Sequence, residues 1–178
     1  MTVIYEKIAI IGVGLIGASI ALAVRRANLA THIVGCDADE SAVDTVRDLA
    51  LVDEAVTDPV AAVADADLVI MAVPVGAMGG LAASIVPAMK PGAVLTDTGS
   101  TKRSVLRDVD PVVTANIHWL PSHPLAGTEH SGPKAGHAHL FDERYWIVLP
   151  REVPEEVVVR FETFVSGLGS VTERMDAD

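Results

Sequence analysis

Two stretches of the sequence carry residue types whose spacing could do chemistry. The first is Gly12-Val13-Gly14-Leu15-Ile16-Gly17, a G-x-G-x-x-G run that follows an apolar segment, opens an Ala-rich one, and precedes Gly35-Cys36-Asp37. In a strand-turn-helix setting these residues suit a dinucleotide. Gly12 permits the tight turn, Gly14 lets backbone approach a pyrophosphate, and Gly17 lets the helix pack closely on the strand. Leu15 and Ile16 open the helix, whose unpaired N–H groups and partial positive charge then face the phosphates. Asp37 can accept hydrogen bonds from the adenosine ribose hydroxyls and would repel a 2′-phosphate. Ala38 follows it where an arginine would favour NADP, so NAD is the expected cofactor. The competing reading is a strand-turn-helix that uses its glycines for packing alone.

The second stretch supplies a hydroxyl and an imidazole after two further apolar runs. Ser100 lies in Asp97-Thr98-Gly99-Ser100-Thr101-Lys102, and His123 in Ser122-His123-Pro124-Leu125-Ala126-Gly127-Thr128-Glu129-His130. Oxidising an alcohol needs a base that works near neutral pH, and histidine is the natural one; the plain alternative for His123 is a histidine that only packs the loop. Ser100 is either a hydroxyl directed at substrate or nicotinamide, or the N-cap of the following turn. Ala72-Val73-Pro74 ends another apolar run; its backbone is expected to face the cofactor, which is compatible with Pro74 also starting a helix. Cys36 reads as a small, inert residue at a strand end. His118, His123, His130, His137 and His139 crowd together, and His137-Ala138-His139 could chelate. With no H-E-x-x-H pattern and no cysteine pair, no metal site is expected.

These residues need a frame, and the hydropathy pattern supplies one. β-Branched runs at 7–11, 33–36, 68–73, 94–96 and 117–120 alternate with helical stretches at 15–27, 40–49 and 77–89, and a short helix starts at Pro59. The rhythm is βαβ. It predicts an α/β Rossmann-type dinucleotide-binding fold, a mostly parallel sheet with helices on both faces and the glycine turn at the carboxyl edge. From 122 to 144 the pattern lapses into a segment rich in Gly, His and Pro, and loops that long in a compact domain are usually functional. A strand at 145–149, a helix at 154–164 opened by Glu155 and Glu156, and a last strand at 170–172 follow.

Length and charge exclude several classes. The 178 residues hold one domain with a short appendage at most. Half are hydrophobic and only 4% aromatic, so the core is built of small aliphatics and the chain is not a disordered one. The net charge of −11 has the wrong sign for nucleic-acid phosphates or an anionic bilayer, and neither is expected as a partner. No apolar run reaches the length of a membrane span, no leader pattern opens the chain, and the single cysteine fits a reducing compartment. A cytoplasmic location is expected.

The sequence resembles the prephenate and arogenate dehydrogenase family of tyrosine biosynthesis. The matching pieces are the 12–17 turn, the Asp37 strand end, the 97–102 segment, Ser122-His-Pro-Leu-Ala-Gly-Thr-Glu-His-Ser-Gly132, and Leu140-Phe141 with Trp146-Ile-Val-Leu-Pro150; the histidine run is more specific than the glycine turn. The resemblance implies NAD-dependent oxidative decarboxylation of prephenate to 4-hydroxyphenylpyruvate, or of arogenate to tyrosine. It implies that His123 takes the proton of the ring hydroxyl and that Ser100 holds that hydroxyl and His123 in register. Gly127, Thr128 and Glu129 would complete the substrate pocket, with Glu129 at its mouth as a gate or as partner to a cation. The plain alternative for Glu129 is a solvated loop carboxylate.

By the same resemblance, residues 1–174 form the dinucleotide-binding domain, and 175–178 begin the linker to a helical dimerisation domain absent from this sequence. The full-length protein is then a homodimer. Prephenate is a dianion, and Lys102, Arg103 and Lys134 are the few cations near the expected site, so further cations are expected from elsewhere. Exposed apolar surface is expected around 165–171. Two other classes fit parts of the pattern. The 122–132 run argues against another β-hydroxyacid-type dehydrogenase. A non-catalytic NAD-binding or regulatory module would have no use for Ser100 and His123 together.

Overall fold

The computed structural model describes residues 2–176. The main sheet has six parallel strands, β1 (Tyr5–Ile11), β2 (Ala30–Cys36), β3 (Glu54–Val56), β4 (Leu68–Met71), β5 (Val94–Asp97) and β6 (His118–Trp119). Their order is β3-β2-β1-β4-β5-β6. The chain therefore starts mid-sheet, winds to one edge, crosses back, and winds to the other. This is the doubly wound arrangement the sequence rhythm predicts, and its strand order reverses between β1 and β4, where such sheets open a crevice. The connecting helices are α1 (Leu15–Ala27), α2 (Glu40–Asp48), α3 (Pro59–Val63), α4 (Val75–Ile85) and α5 (Lys102–Val109).

Alternate residues along a strand serve opposite layers. Ile8 and Ile10 of β1 join the layer of Ile20 and Val24 from α1 and Val46 from α2. Ala9 and Ile11 join the layer of Val63 from α3, Met78 from α4 and Val105 from α5. With both faces covered, the inner strands read as unbroken apolar runs. Two elements escape that pattern. β3 is an edge strand of three residues with none fully buried, and α5 buries only Val105 and Val109, with Leu106 partly buried beside them, in a mostly polar sequence. β4 also ends earlier than the pattern predicts, so Ala72-Val73-Pro74 form the turn into α4.

After β6 the chain leaves the main sheet. β7 (Ser122–Pro124) pairs antiparallel with β8 (Tyr145–Val148), which pairs parallel with β9 (Val171–Arg174) in a second, three-stranded sheet. Pro121 accounts for the break. It has no N–H to continue the ladder, and its carbonyl instead accepts from Leu149 N at 2.9 Å. The segment expected as loop from Ser122 onward thus begins as a strand, and that strand carries His123.

Helix α6 (Glu155–Gly167) closes the molecule over β1. Its Phe164 meets Tyr5 edge-on at 5.6 Å between ring centroids, and the Arg160 guanidinium lies 4.4 Å over the Tyr5 ring. Arg26, near the end of α1, bonds to Asp142 at 3.0 and 3.2 Å and to the Leu168 carbonyl at 3.1 Å. The exposure expected around 165–171 is found at Val171 but not at Val165 or Leu168, which are buried by α6 packing. Among the exposed apolar residues, Tyr145 and Val171 pair across β8 and β9, and Leu125, just past β7, donates its N–H to the Tyr145 carbonyl. β9 ends at Arg174, and the expected linker at 175–178 passes out of the described residues at 177.

Candidate active site

The turn after β1 is built as its residue types require. Gly12 has φ +94°, and a Cβ there would stand 2.4 Å from the Ala72 carbonyl oxygen. A Cβ on Gly17 would stand 1.9 Å from the carbonyl oxygen of Gly12. The first would push the glycine turn away from the turn after β4, and the second would push α1 away from β1. Gly14 differs, since nothing lies within 4 Å of the place its Cβ would take. Helix α1 has no side-chain cap and no acidic residue in its first turn, so Leu15, Ile16 and their neighbours leave the helix end free to receive an anion.

Asp37 closes the turn from the end of β2. Its Oδ2 accepts from Val13 N at 3.0 Å and its Oδ1 from Asp39 N at 3.0 Å. Each oxygen keeps a lone pair for a further donor. An open glycine approach, an uncapped helix end and an adjacent carboxylate fit a dinucleotide. Beside them Cys36 is buried, and desolvation followed by the charges of Asp37 and Asp58 pushes its thiol up to about 12. It stays a protonated, unreactive packing residue.

A cleft of about 290 Å³ opens at the same edge of the sheet, between the turns after β4 and β5 and the strand β7. Ile16, Val73, Pro74 and Ala126 make its apolar walls, and Ser100 and His123 its polar end. The fold therefore gathers residues from the glycine turn, the 72–74 turn, the 97–102 segment and the histidine run. His123 Nδ1 lies 2.9 Å from the Thr98 carbonyl oxygen. A carbonyl only accepts, so Nδ1 carries the hydrogen and Nε2 the basic lone pair. Ser100 is exposed, and its hydroxyl has no protein partner among the described residues. The capping alternative fails, because Thr101 occupies the N-cap of α5.

Gly127, Thr128 and Glu129 are not brought into the cleft. The wall reaches Ala126, and these three lie exposed beyond it; the Glu129 side chain is 85% exposed with His130 Nε2 at 3.6 Å. Lys102 also departs from expectation. It is no free cation, being buried against Asp97 and bonded to the Ser122 carbonyl at 2.6 Å. Burial pushes the Asp97 carboxyl up and the Lys102 ammonium down, and the opposite charge of each partner opposes that. Sequence reasoning missed this pair. Its signal was an aspartate at the end of an apolar run with a lysine one helical start further on. The histidines disperse: His118 is on β6, and His139 bonds to Asp142 at 2.7 Å. Among the described residues no group of three candidate ligands is assembled, and no helix is long and apolar enough to cross a membrane.

Strand order, glycine turn and Asp37 together define a dinucleotide-binding domain of the Rossmann type. The family described as prephenate dehydrogenase, nucleotide-binding domain, matches residues 20–173, and the chain belongs to that family. The match begins just after the glycine turn, which stands on its own geometry. The cyclohexadienyl dehydrogenase of Zymomonas mobilis is 38% identical over 176 residues, covering 98% of this chain and 60% of that protein. The prephenate dehydrogenase of Bacillus subtilis is 30% identical over 165 residues, covering 91% of this chain and 44% of that protein. The solved structure of Aquifex aeolicus prephenate dehydrogenase in complex with hydroxyphenyl propionate and NAD+ superposes with a TM-score of 0.88 at 27% identity, over 97% of this chain and 60% of that one. The chain spans 60% or less of the length of each of these relatives.

Proposed function

We propose that this chain is the cofactor-binding part of an NAD-dependent dehydrogenase that oxidatively decarboxylates prephenate or arogenate. The observation that carries the reading is His123, an imidazole in the cleft beside the glycine turn with Nδ1 engaged by Thr98 and Nε2 left basic. Membership of the family supports it. NAD, when bound, supplies the hydride acceptor. Gly12, Gly14, Leu15, Ile16 and Gly17 would hold its pyrophosphate, Asp37 its adenosine ribose, and Ala72, Val73 and Pro74 would border it on the cleft side.

In this reading His123 takes the ring-hydroxyl proton on Nε2 and Ser100 hydrogen-bonds the same hydroxyl, while Gly127, Thr128 and Glu129, on the loop beyond the cleft wall at Ala126, would meet only a part of the substrate that extends past it. Loss of the ring carboxylate as carbon dioxide leaves an aromatic ring, which drives the reaction. The protein then has to orient the reactants and supply a base, and the base is typically worth about 10²–10⁴ in rate. Residues 1–174 are the dinucleotide-binding unit, and the chain from 175 begins a linker. A cytoplasmic, homodimeric whole protein completes the reading, on the family resemblance alone.

Charge sets what these residues can do by themselves. Among the described residues every Lys and Arg except Arg103, Lys134 and Arg144 already bonds to a protein acceptor, and none lines the cleft. A dianion should therefore bind weakly here, while NAD binds through a site that is intact. The test is NADH formation from NAD with prephenate or arogenate at millimolar concentration, beside calorimetry of NAD binding. The expected result is that residues 1–178 alone bind NAD and form NADH barely or not at all, and that in an active assembly His123→Asn lowers turnover about 100-fold or more with NAD binding retained. Failure to bind NAD, or unchanged turnover in His123→Asn, overturns the reading, and robust turnover by residues 1–178 alone overturns the charge argument.

A further inference from the structure

Beneath the cleft, one carboxylate and one ammonium hold both ends of the hydrogen bond that sets His123. The Asp97 side chain is fully buried and that of Lys102 is 12% exposed. Lys102 Nζ donates to Asp97 Oδ2 and, at 2.6 Å, to the Ser122 carbonyl. Asp97 Oδ2 also accepts from Gly99 N at 2.9 Å, while Oδ1 accepts from Ser122 N at 3.1 Å. The Ser122 hydroxyl donates to the Asp97 carbonyl at 2.8 Å and accepts from Trp146 Nε1 at 2.9 Å. Ser122 directly precedes His123, and Asp97 and Gly99 flank Thr98. The pair thus grips the residues next to both His123 and the carbonyl that His123 bonds.

We propose that Asp97 and Lys102 are positioning residues for His123. Their pair clamps the end of β5 to the start of β7, keeping the Thr98 carbonyl on Nδ1 and the lone pair on Nε2. The proposal rests on reading His123 as the base. β5 and β7 belong to different sheets, and Pro121 has broken the ladder that would otherwise align them, so some other directional contact must fix their relation. A buried ion pair contributes little net stability, because desolvation offsets its attraction. What it does provide is direction, since the ammonium and both carboxylate oxygens must each meet particular backbone atoms.

The test reads the imidazole directly. In the 178-residue chain, NMR of isotope-labelled histidine should show His123 as a single tautomer protonated on Nδ1. Lys102→Met should turn it into a mixture, and Lys102→Arg should restore the single form. In an assembly that forms NADH, Lys102→Met should lower kcat about tenfold with KM within about twofold, and NAD binding by the 178-residue chain should not change. Should Lys102→Met fail to fold, the double variant Asp97→Asn with Lys102→Met, which leaves no unpaired charge in the core, is read in the same way. A folded variant in which His123 keeps the pure Nδ1-protonated form overturns the proposal. Tautomer mixing in a chain that does not bind NAD would uphold the clamp and sink only the functional reading.

Discussion

Asp37 has two carboxylate oxygens and both already hold backbone, Val13 N on one and Asp39 N on the other. It is therefore part of the turn as well as a candidate ligand of the ribose, and a substitution has to separate the two roles. Asn at 37 keeps an acceptor for Val13 N and removes the charge that disfavours a 2′-phosphate. Asp37→Asn should lower the preference for NAD over NADP by about tenfold or more, with a loss of about 1 kcal/mol in stability because the amide nitrogen of Asn cannot accept from Asp39 N. Competitive calorimetry with the two cofactors measures this, and an unchanged ratio would remove Asp37 from the specificity site. His123 was legible from its neighbours in sequence. Its tautomer was not, because the Thr98 carbonyl that fixes it is 25 residues away along the chain.

Helix α1 begins where the sequence pattern places it, at Leu15, and its two kinds of glycine make a distinction that can be tested. Gly17 packs against the Gly12 carbonyl, whereas Gly14 faces open space. Gly17→Ala should cost about 3 kcal/mol or more in a denaturant titration, since backbone on both sides must move. Gly14→Ala should leave the melt within about 1 kcal/mol of the parent yet weaken NAD binding, because the methyl group would occupy the approach to the helix end. Equal stability losses in the two variants would contradict this division. Helix α5 and strand β7 were not legible as elements. α5 offers only one apolar i, i+4 pair, and β7 is three residues flanked by prolines whose partner strand lies more than twenty residues downstream.

At the scale of the whole molecule, acidity shapes stability through paired carboxylates. Hydrogen bonds from Arg26, then from His139, hold the Asp142 carboxyl below its ordinary value of 3.8, and Arg174 holds Glu155 down in the same sense. A folded-state value below the unfolded one contributes stability that is present above the ordinary value and is lost as pH falls through the folded value. The thermal midpoint should therefore drop as pH is lowered below about 4. Asp142→Asn should melt lower than the parent at neutral pH and converge with it in acid. A gap that stays constant with pH would mean that the charge of Asp142 contributes nothing to joining α1 to the second sheet.

The sequence by itself determined the parts whose cause is local. The alternation of β-branched and Ala-rich runs set the Rossmann-type sheet, and the glycine spacing with Asp37 set the dinucleotide turn. These depend on residues a few positions apart, whereas His123 was singled out by the family resemblance of the run that holds it. Only the tertiary structure decided that Pro121 diverts the chain into a second sheet and that the cleft wall stops at Ala126 short of Gly127, Thr128 and Glu129. It also decided that Lys102 is spent on Asp97 and Ser122 instead of a substrate. These outcomes depend on which backbone N–H and C=O groups are left unpaired when distant strands meet in three dimensions, and no local spacing carries that information.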